Sequence, residues 1–182
     1  STWILVGDGP ATWELRQLFA DVGCVGHRTI VTVEGTTYWW SELGPMSWDG
    51  SSGSPLSLSR GILDEAQDIT RYAPAYFGQA CAAADVANQR VVWALPAVGS
   101  TRNSVMRPFH YGLQRWEADA WETIDAASLA VVDDSTSTPY VYLGDYTGRL
   151  YKFEAVPRDG SHYTGAVTSA TSTSLTSSGA NF

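Results

Sequence analysis

The side chains able to do chemistry in this 182-residue chain are few and poorly spaced for it. Asp64, Glu65 and Asp68 form an acidic cluster in residues 62–69, the one segment with helical periodicity, where Asp64 and Asp68 share a face. Paired carboxylates at that spacing suit proton transfer or Ca²⁺ binding, but no His, Lys or third oxygen ligand is spaced to join them. The cluster therefore reads as a solvated helix face. Asp133-Asp134-Ser135-Thr136-Ser137 resembles a calcium loop without its Gly and closing Glu, and reads as an ordinary acidic turn. His27, His110 and His162 are scattered, and no Gly-x-Ser-x-Gly elbow, His-x-x-x-His pair or Gly-rich phosphate loop accompanies them, so each reads as a loop or strand residue. Cys24 and Cys81 lie too far apart for a zinc knuckle and read as free thiols at neighbouring core positions. No catalytic residue, metal ligand or cofactor site is expected.

Aromatic residues are the richer resource, with eight Trp, nine Tyr and five Phe. Trp39, Trp40, Trp48 and Trp93 would stack on sugar rings if exposed, and would fill a core or a subunit interface if packed between sheets. Adjacent Trp39 and Trp40 point to opposite faces of a strand, so at least one is expected outside or at an interface. Packing is the favoured reading, with a carbohydrate platform as the alternative.

The elements that must position these residues are short strands. Thr29-Ile30-Val31-Thr32-Val33 and Thr36-Thr37-Tyr38-Trp39-Trp40 flank Glu34-Gly35 and predict a hairpin. A second hairpin is predicted from Ala80-Cys81-Ala82-Ala83-Ala84 and Arg90-Val91-Val92-Trp93-Ala94-Leu95-Pro96, its small residues suiting a crowded sheet interior. Further runs occur at Trp3-Ile4-Leu5-Val6, Ser104-Val105-Met106, Phe109-His110-Tyr111, residues 128–132 and residues 140–144. Residues 12–19 suit a strand or a helical turn. Gly9-Pro10-Ala11-Thr12-Trp13 and Gly44-Pro45-Met46-Ser47-Trp48 repeat a Gly-Pro-x-[Ser/Thr]-Trp pattern at an offset of about 35 residues. Gly148-Arg149-Leu150-Tyr151-Lys152-Phe153 is a degenerate relative. In this reading Gly9, Gly44 and Gly148 turn the chain, while Trp13, Trp48 and Phe153 fill the space between neighbouring sheets. Asp8 and Asp145, each in a Gly-Asp step, are expected to hold their turns closed through backbone N–H groups.

The fold class expected is all-β, with repeated antiparallel sheets arranged as β-propeller-like blades, an incomplete set within this stretch. Blades are expected over residues 1–164. Residues 165–182, rich in Ser and Thr and without charge, read as a strand or linker leading into a following domain. The balance of 11 basic to 19 acidic residues, a net charge of −8, is the wrong sign for a sequence-specific nucleic-acid reader. No apolar run approaches the ~20 residues of a membrane-spanning helix.

The chain resembles the β-propeller-bearing virion proteins of tailed bacteriophages, including tail nozzle and hub components. The resemblance runs through Gly23-Cys24-Val25-Gly26-His27-Arg28-Thr29-Ile30-Val31, Tyr38-Trp39-Trp40-Ser41-Glu42-Leu43-Gly44, Trp48-Asp49-Gly50 and Leu58-Ser59. It continues through Asn88-Gln89-Arg90-Val91-Val92-Trp93-Ala94-Leu95-Pro96, Trp116 and Gly144-Asp145-Tyr146-Thr147-Gly148-Arg149-Leu150-Tyr151. It implies a non-enzymatic structural component of the virion tail, assembled in the host cytoplasm and acting through interfaces with its own copies and other tail proteins. DNA would pass it without specific recognition. The alternative is a glycan-hydrolysing or carbohydrate-binding propeller, similar to sialidases or lectins. Against the Asp-box pattern Ser-x-Asp-x-Gly-x-Thr-Trp, however, Asp8-Gly9-Pro10-Ala11-Thr12-Trp13 has its Asp and Gly too close together.

Overall fold

Strands of two to eight residues separated by tight turns build the molecule, as the turn-punctuated sequence requires. The computed structural model describes residues 1–51, 55–58, 71–117, 125–133, 137–153, 167–171 and 174–177. The fold is all-β, and every strand pairing is antiparallel. A hairpin of β1 (Thr2–Val6) and β2 (Glu14–Phe19) comes first, so the segment open to two readings is a strand. A four-stranded meander follows, made of β3 (Val31–Val33), β4 (Thr36–Ser41), β5 (Gly44–Trp48) and β6 (Leu56–Ser57). A second contains β7 (Cys81–Asp85), β8 (Arg90–Pro96), β9 (Asn103–His110) and β10 (Arg115–Trp116). Three strands, β11 (Ala126–Asp133), β12 (Pro139–Asp145) and β13 (Leu150–Phe153), make a third, and β14 (Val167–Thr171) pairs with β15 (Ser174–Ser177) in a last hairpin. Among the described residues no sheet closes on itself.

Local chemistry explains the turns. Glu34 and Gly35 both take positive φ, 50° and 78°, the geometry of a two-residue hairpin loop whose twist matches the flanking strands. The register Val33↔Thr36 and Thr32↔Thr37 follows, and the two threonine hydroxyls meet at 3.0 Å. Pro108 sits inside β9, where the sequence suggested a break. Its carbonyl accepts the Glu117 N–H at 3.2 Å, on the side away from β8, so the missing proline donor also faces outward and the β8 ladder loses nothing.

The core lies on both faces of the second meander. β8 is buried along its whole length and alternates between two clusters. Val91, Trp93 and Leu95 point to a core shared with Val33, Tyr38, Trp40, Leu58, Tyr72 and Phe109. Val92 and Ala94 point to a second core with Met106, Ala126, Val141 and Leu143. β7 alternates likewise, Cys81 and Ala83 to the second core and Ala82 and Ala84 against the first. Its small side chains let β7 pack against both β3 and β11, so the first strands of all three meanders lie together.

Three expectations are corrected. Trp39 and Trp40 do point to opposite faces, yet both are buried, at 5% and 1% exposure, because β4 has cover on each side. Neighbouring core thiols are also not found: Cys81 is buried, whereas Cys24 lies exposed in the irregular connection between β2 and β3. Thr29, read as the start of a strand, instead ends a 3₁₀ turn, His27–Thr29, with Ile30 as the extended residue after it.

Candidate functional site

The β1–β2 hairpin turns one apolar face to water. Gly7 adopts φ +126°, and a Cβ there would lie 2.3 Å from the Thr12 carbonyl oxygen, so the loop requires glycine. The Thr12 hydroxyl accepts the N–H groups of Asp8 at 3.1 Å and Gly9 at 3.2 Å, closing the loop. The sequence assigns this role to Asp8; in this turn the Thr12 hydroxyl, four residues on, supplies the acceptor. From the loop the register runs Val6↔Glu14, Leu5↔Leu15, Ile4↔Arg16 and Trp3↔Gln17. One face therefore presents Trp3, Leu5, Leu15 and Gln17, and Trp13 precedes β2 at the same alternation. Trp3, Leu5, Trp13 and Leu15 are 52%, 56%, 55% and 63% exposed. On the opposite face Ile4 and Val6 are half-buried, and Glu14 bonds Arg16 at 2.6 Å, which holds the Glu14 carboxyl below its ordinary range. The exposed face carries no charge.

The sequence-predicted turn residues are not one structural unit. Gly9 lies in the β1–β2 loop, and Trp13 beside it is exposed, so it does not fill space between sheets in this chain. Gly44, at φ 98°, leaves the β4–β5 turn, and Trp48 closes β5 with its ring edge-on to Phe19 of β2 at 6.0 Å. That contact does sit between neighbouring sheets. Gly148, at φ 85°, lies in the β12–β13 turn, and Phe153 ends β13. In that turn Asp145 behaves as its position implied, accepting the N–H groups of Thr147 and Arg149 at 2.8 Å each. Burial alone would raise its carboxyl; the bonds from Arg149, Thr147 and Tyr151 outweigh that and hold it below its ordinary range.

Other chemistry-bearing groups are committed to structure. Asp85, buried at the end of β7, takes two bonds from Arg90 and two from Asn88, and Arg90 also reaches Glu117 at 3.0 Å. This clamp straps the β7–β8 turn to the chain leaving β10. Asn103 donates to the carbonyls of Gln79 at 2.7 Å and Ala126 at 2.9 Å, tying the second meander to the third. Burial pushes the Cys81 thiol up, against the pull of Arg28, and leaves it a poor nucleophile. Among the described residues no three His, Cys, Asp or Glu side chains gather as a metal site. The cluster at Asp64, Glu65 and Asp68, most of the acidic turn after Asp133, and His162 lie outside the described residues. No described helix is long and apolar enough to cross a membrane.

Of the four tryptophans weighed as a sugar platform, Trp40 and Trp93 are buried in the first core. They pack edge-on at 5.8 Å, Trp93 donates its indole N–H to the Thr29 carbonyl, and Trp116 closes on both rings. The apolar hairpin face was missed in the sequence because Trp3-Ile4-Leu5-Val6 is apolar at every position and shows no alternation. The signal was the matched pair Trp3-x-Leu5 and Trp13-x-Leu15. No protein-family model matches the chain, and no curated protein matches it.

Proposed function

We propose that this chain is a non-enzymatic structural component of a bacteriophage tail, of the nozzle or hub kind, that acts through subunit interfaces. The observation that carries the interface reading is the uncharged, solvent-facing face of Trp3, Leu5, Trp13 and Leu15. An apolar patch of that size has little reason to stay in water unless something docks on it. The tail assignment draws on the sequence resemblance, and propeller-like blades are the architecture proposed with it. Support for blades comes from consecutive meanders whose first strands, β3, β7 and β11, gather together and recur at roughly 45 to 50 residues. The net charge of −8 suits a wall past which DNA slides without adhering. Burial of Trp39, Trp40 and Trp93 removes three of the four side chains on which a carbohydrate platform would rest.

The test is composition of purified particles. Tail-bearing virions banded on a density gradient and digested for mass spectrometry should yield this chain's peptides in fixed ratio to other tail proteins. A chain abundant in the lysate but missing from intact particles would refute the proposal.

A further inference from the structure

We infer that the apolar face of the β1–β2 hairpin seats a second copy of this chain, packed face to face about a two-fold axis running along the strands. The inference deepens the assembly reading and rests on it for the premise that this face is an interface. Three properties of the face point to a copy of itself.

The first is shape. The register sets Trp3 beside Gln17 and Leu5 beside Leu15, and its continuation past Val6↔Glu14 brings Gly7 beside Trp13. The two indoles thus stand on one diagonal, with a flexible amide and a bare backbone on the other. Turning a second hairpin over about an axis parallel to the strands lays Trp3 on the partner's Gln17, Leu5 on the partner's Leu15 and Trp13 on the partner's Gly7. Each large side chain meets a small or yielding one, and no indole meets an indole head-on.

The second is charge. The chain carries −8 overall, so two copies repel at most approaches, but none of the described side chains of this face, Trp3, Leu5, Trp13, Leu15 and Gln17, is ionisable, and the Glu14–Arg16 pair lies on the opposite side. The third is area. At their observed exposures, Trp3, Leu5, Trp13 and Leu15 offer roughly 500 Å² of apolar surface. A standard-size specific interface buries about 800 Å² per partner, a little over half of it apolar, so this face supplies the apolar share of one. Pairing through the free edge of β2 would instead leave all four residues of both copies in water.

Sedimentation of the whole chain over a concentration series tests this. A monomer–dimer equilibrium is expected, with Leu5→Lys and Leu15→Glu each weakening it about a hundredfold. An equimolar mixture of the two variants should recover dimer, because position 5 of one then faces position 15 of the other as an opposite-charge pair. Circular dichroism checks each variant's fold; should Leu15→Glu fail that check, Trp13→Ser carries the same expectation of weakened pairing. A chain monomeric up to about 100 μM, a dimer that survives Leu15→Glu, or a mixture that stays monomeric would each overturn the pairing. Finding a monomeric chain inside virions would sink the pairing and leave the tail assignment standing; a Leu15-dependent dimer absent from virions would do the reverse.

Discussion

Replacing Trp40 and Trp13 with alanine tests the placement of the core, because the residue type is the same and the surroundings differ. Trp40 is 1% exposed and edge-on to Tyr72, Trp93 and Trp116 at 5.7, 5.8 and 6.2 Å. Trp40→Ala removes about 150 Å² of hidden side chain, worth about 4 kcal/mol at ~25 cal/mol/Å². Lost edge-to-face contacts and the residual cavity add to this, while partial collapse and a compact denatured state subtract, for a net loss of about 4–5 kcal/mol. In a chain of this length that lowers the melting temperature by roughly 10–15 °C. Trp13 is 55% exposed and makes no ring contact among the described residues, so Trp13→Ala should cost less than about 2 kcal/mol. Urea denaturation of both variants at sub-micromolar concentration, where self-association does not contribute, gives the comparison. Losses within about 1 kcal/mol of each other would refute the assigned core.

Three further outcomes follow from the same geometry. Arg90→Met leaves Asp85 buried beside Asn88 alone and should cost about 3–5 kcal/mol by denaturation, while adding Asp85→Leu should recover most of the loss; a single variant within 1 kcal/mol of wild type would show that the clamp is not buried as described. The Asp145 carboxyl is held below its ordinary range in the folded state, so its contribution is present above about pH 4 and disappears as pH falls through the depressed folded value. Melts of wild type and Asp145→Ala should therefore differ by a constant amount near neutrality and converge in acid, and a gap that widens in acid would contradict the assignment. With a thiol reagent, the native chain should label once, at exposed Cys24, and twice after unfolding; two fast labels on the native chain would displace Cys81 from the second core.

Much of the architecture was legible because local chemistry and tertiary context agreed. Glu34-Gly35 between β-branched and aromatic runs could only be a tight hairpin turn, and the alanines of β7 suit a strand pressed between two sheets. Asp145 was legible for the same reason, since an Asx turn needs only residues within its own loop. The Gly-Pro-x-[Ser/Thr]-Trp repeat misled because the same five letters fall in a loop after Gly7 and in a strand after Glu42-Leu43. What precedes the glycine decides its conformation, and the pattern does not include it. Alternation placed Trp39 and Trp40 on opposite faces, but a periodicity does not say whether a second sheet covers the other face. The exposed hairpin face was least legible, because exposure depends on the absence of neighbours, and a sequence lists only what is present.

The bond from the Trp116 indole N–H to the Leu58 carbonyl, 2.6 Å, has a consequence for how the protein is made. Trp116 is the last residue of β10, and its ring also closes on Trp40 from β4. Until Trp93 and Trp116 have left the ribosome, the first meander has strands and turns but, of the three rings that pack edge-on to Trp40, at most Tyr72. Its early hairpins can form locally, while their large aromatic surface must wait for a stretch of chain translated much later. Synthesis therefore carries a period of exposed tryptophan in every nascent copy, and that window is where chaperone capture or misassembly would act.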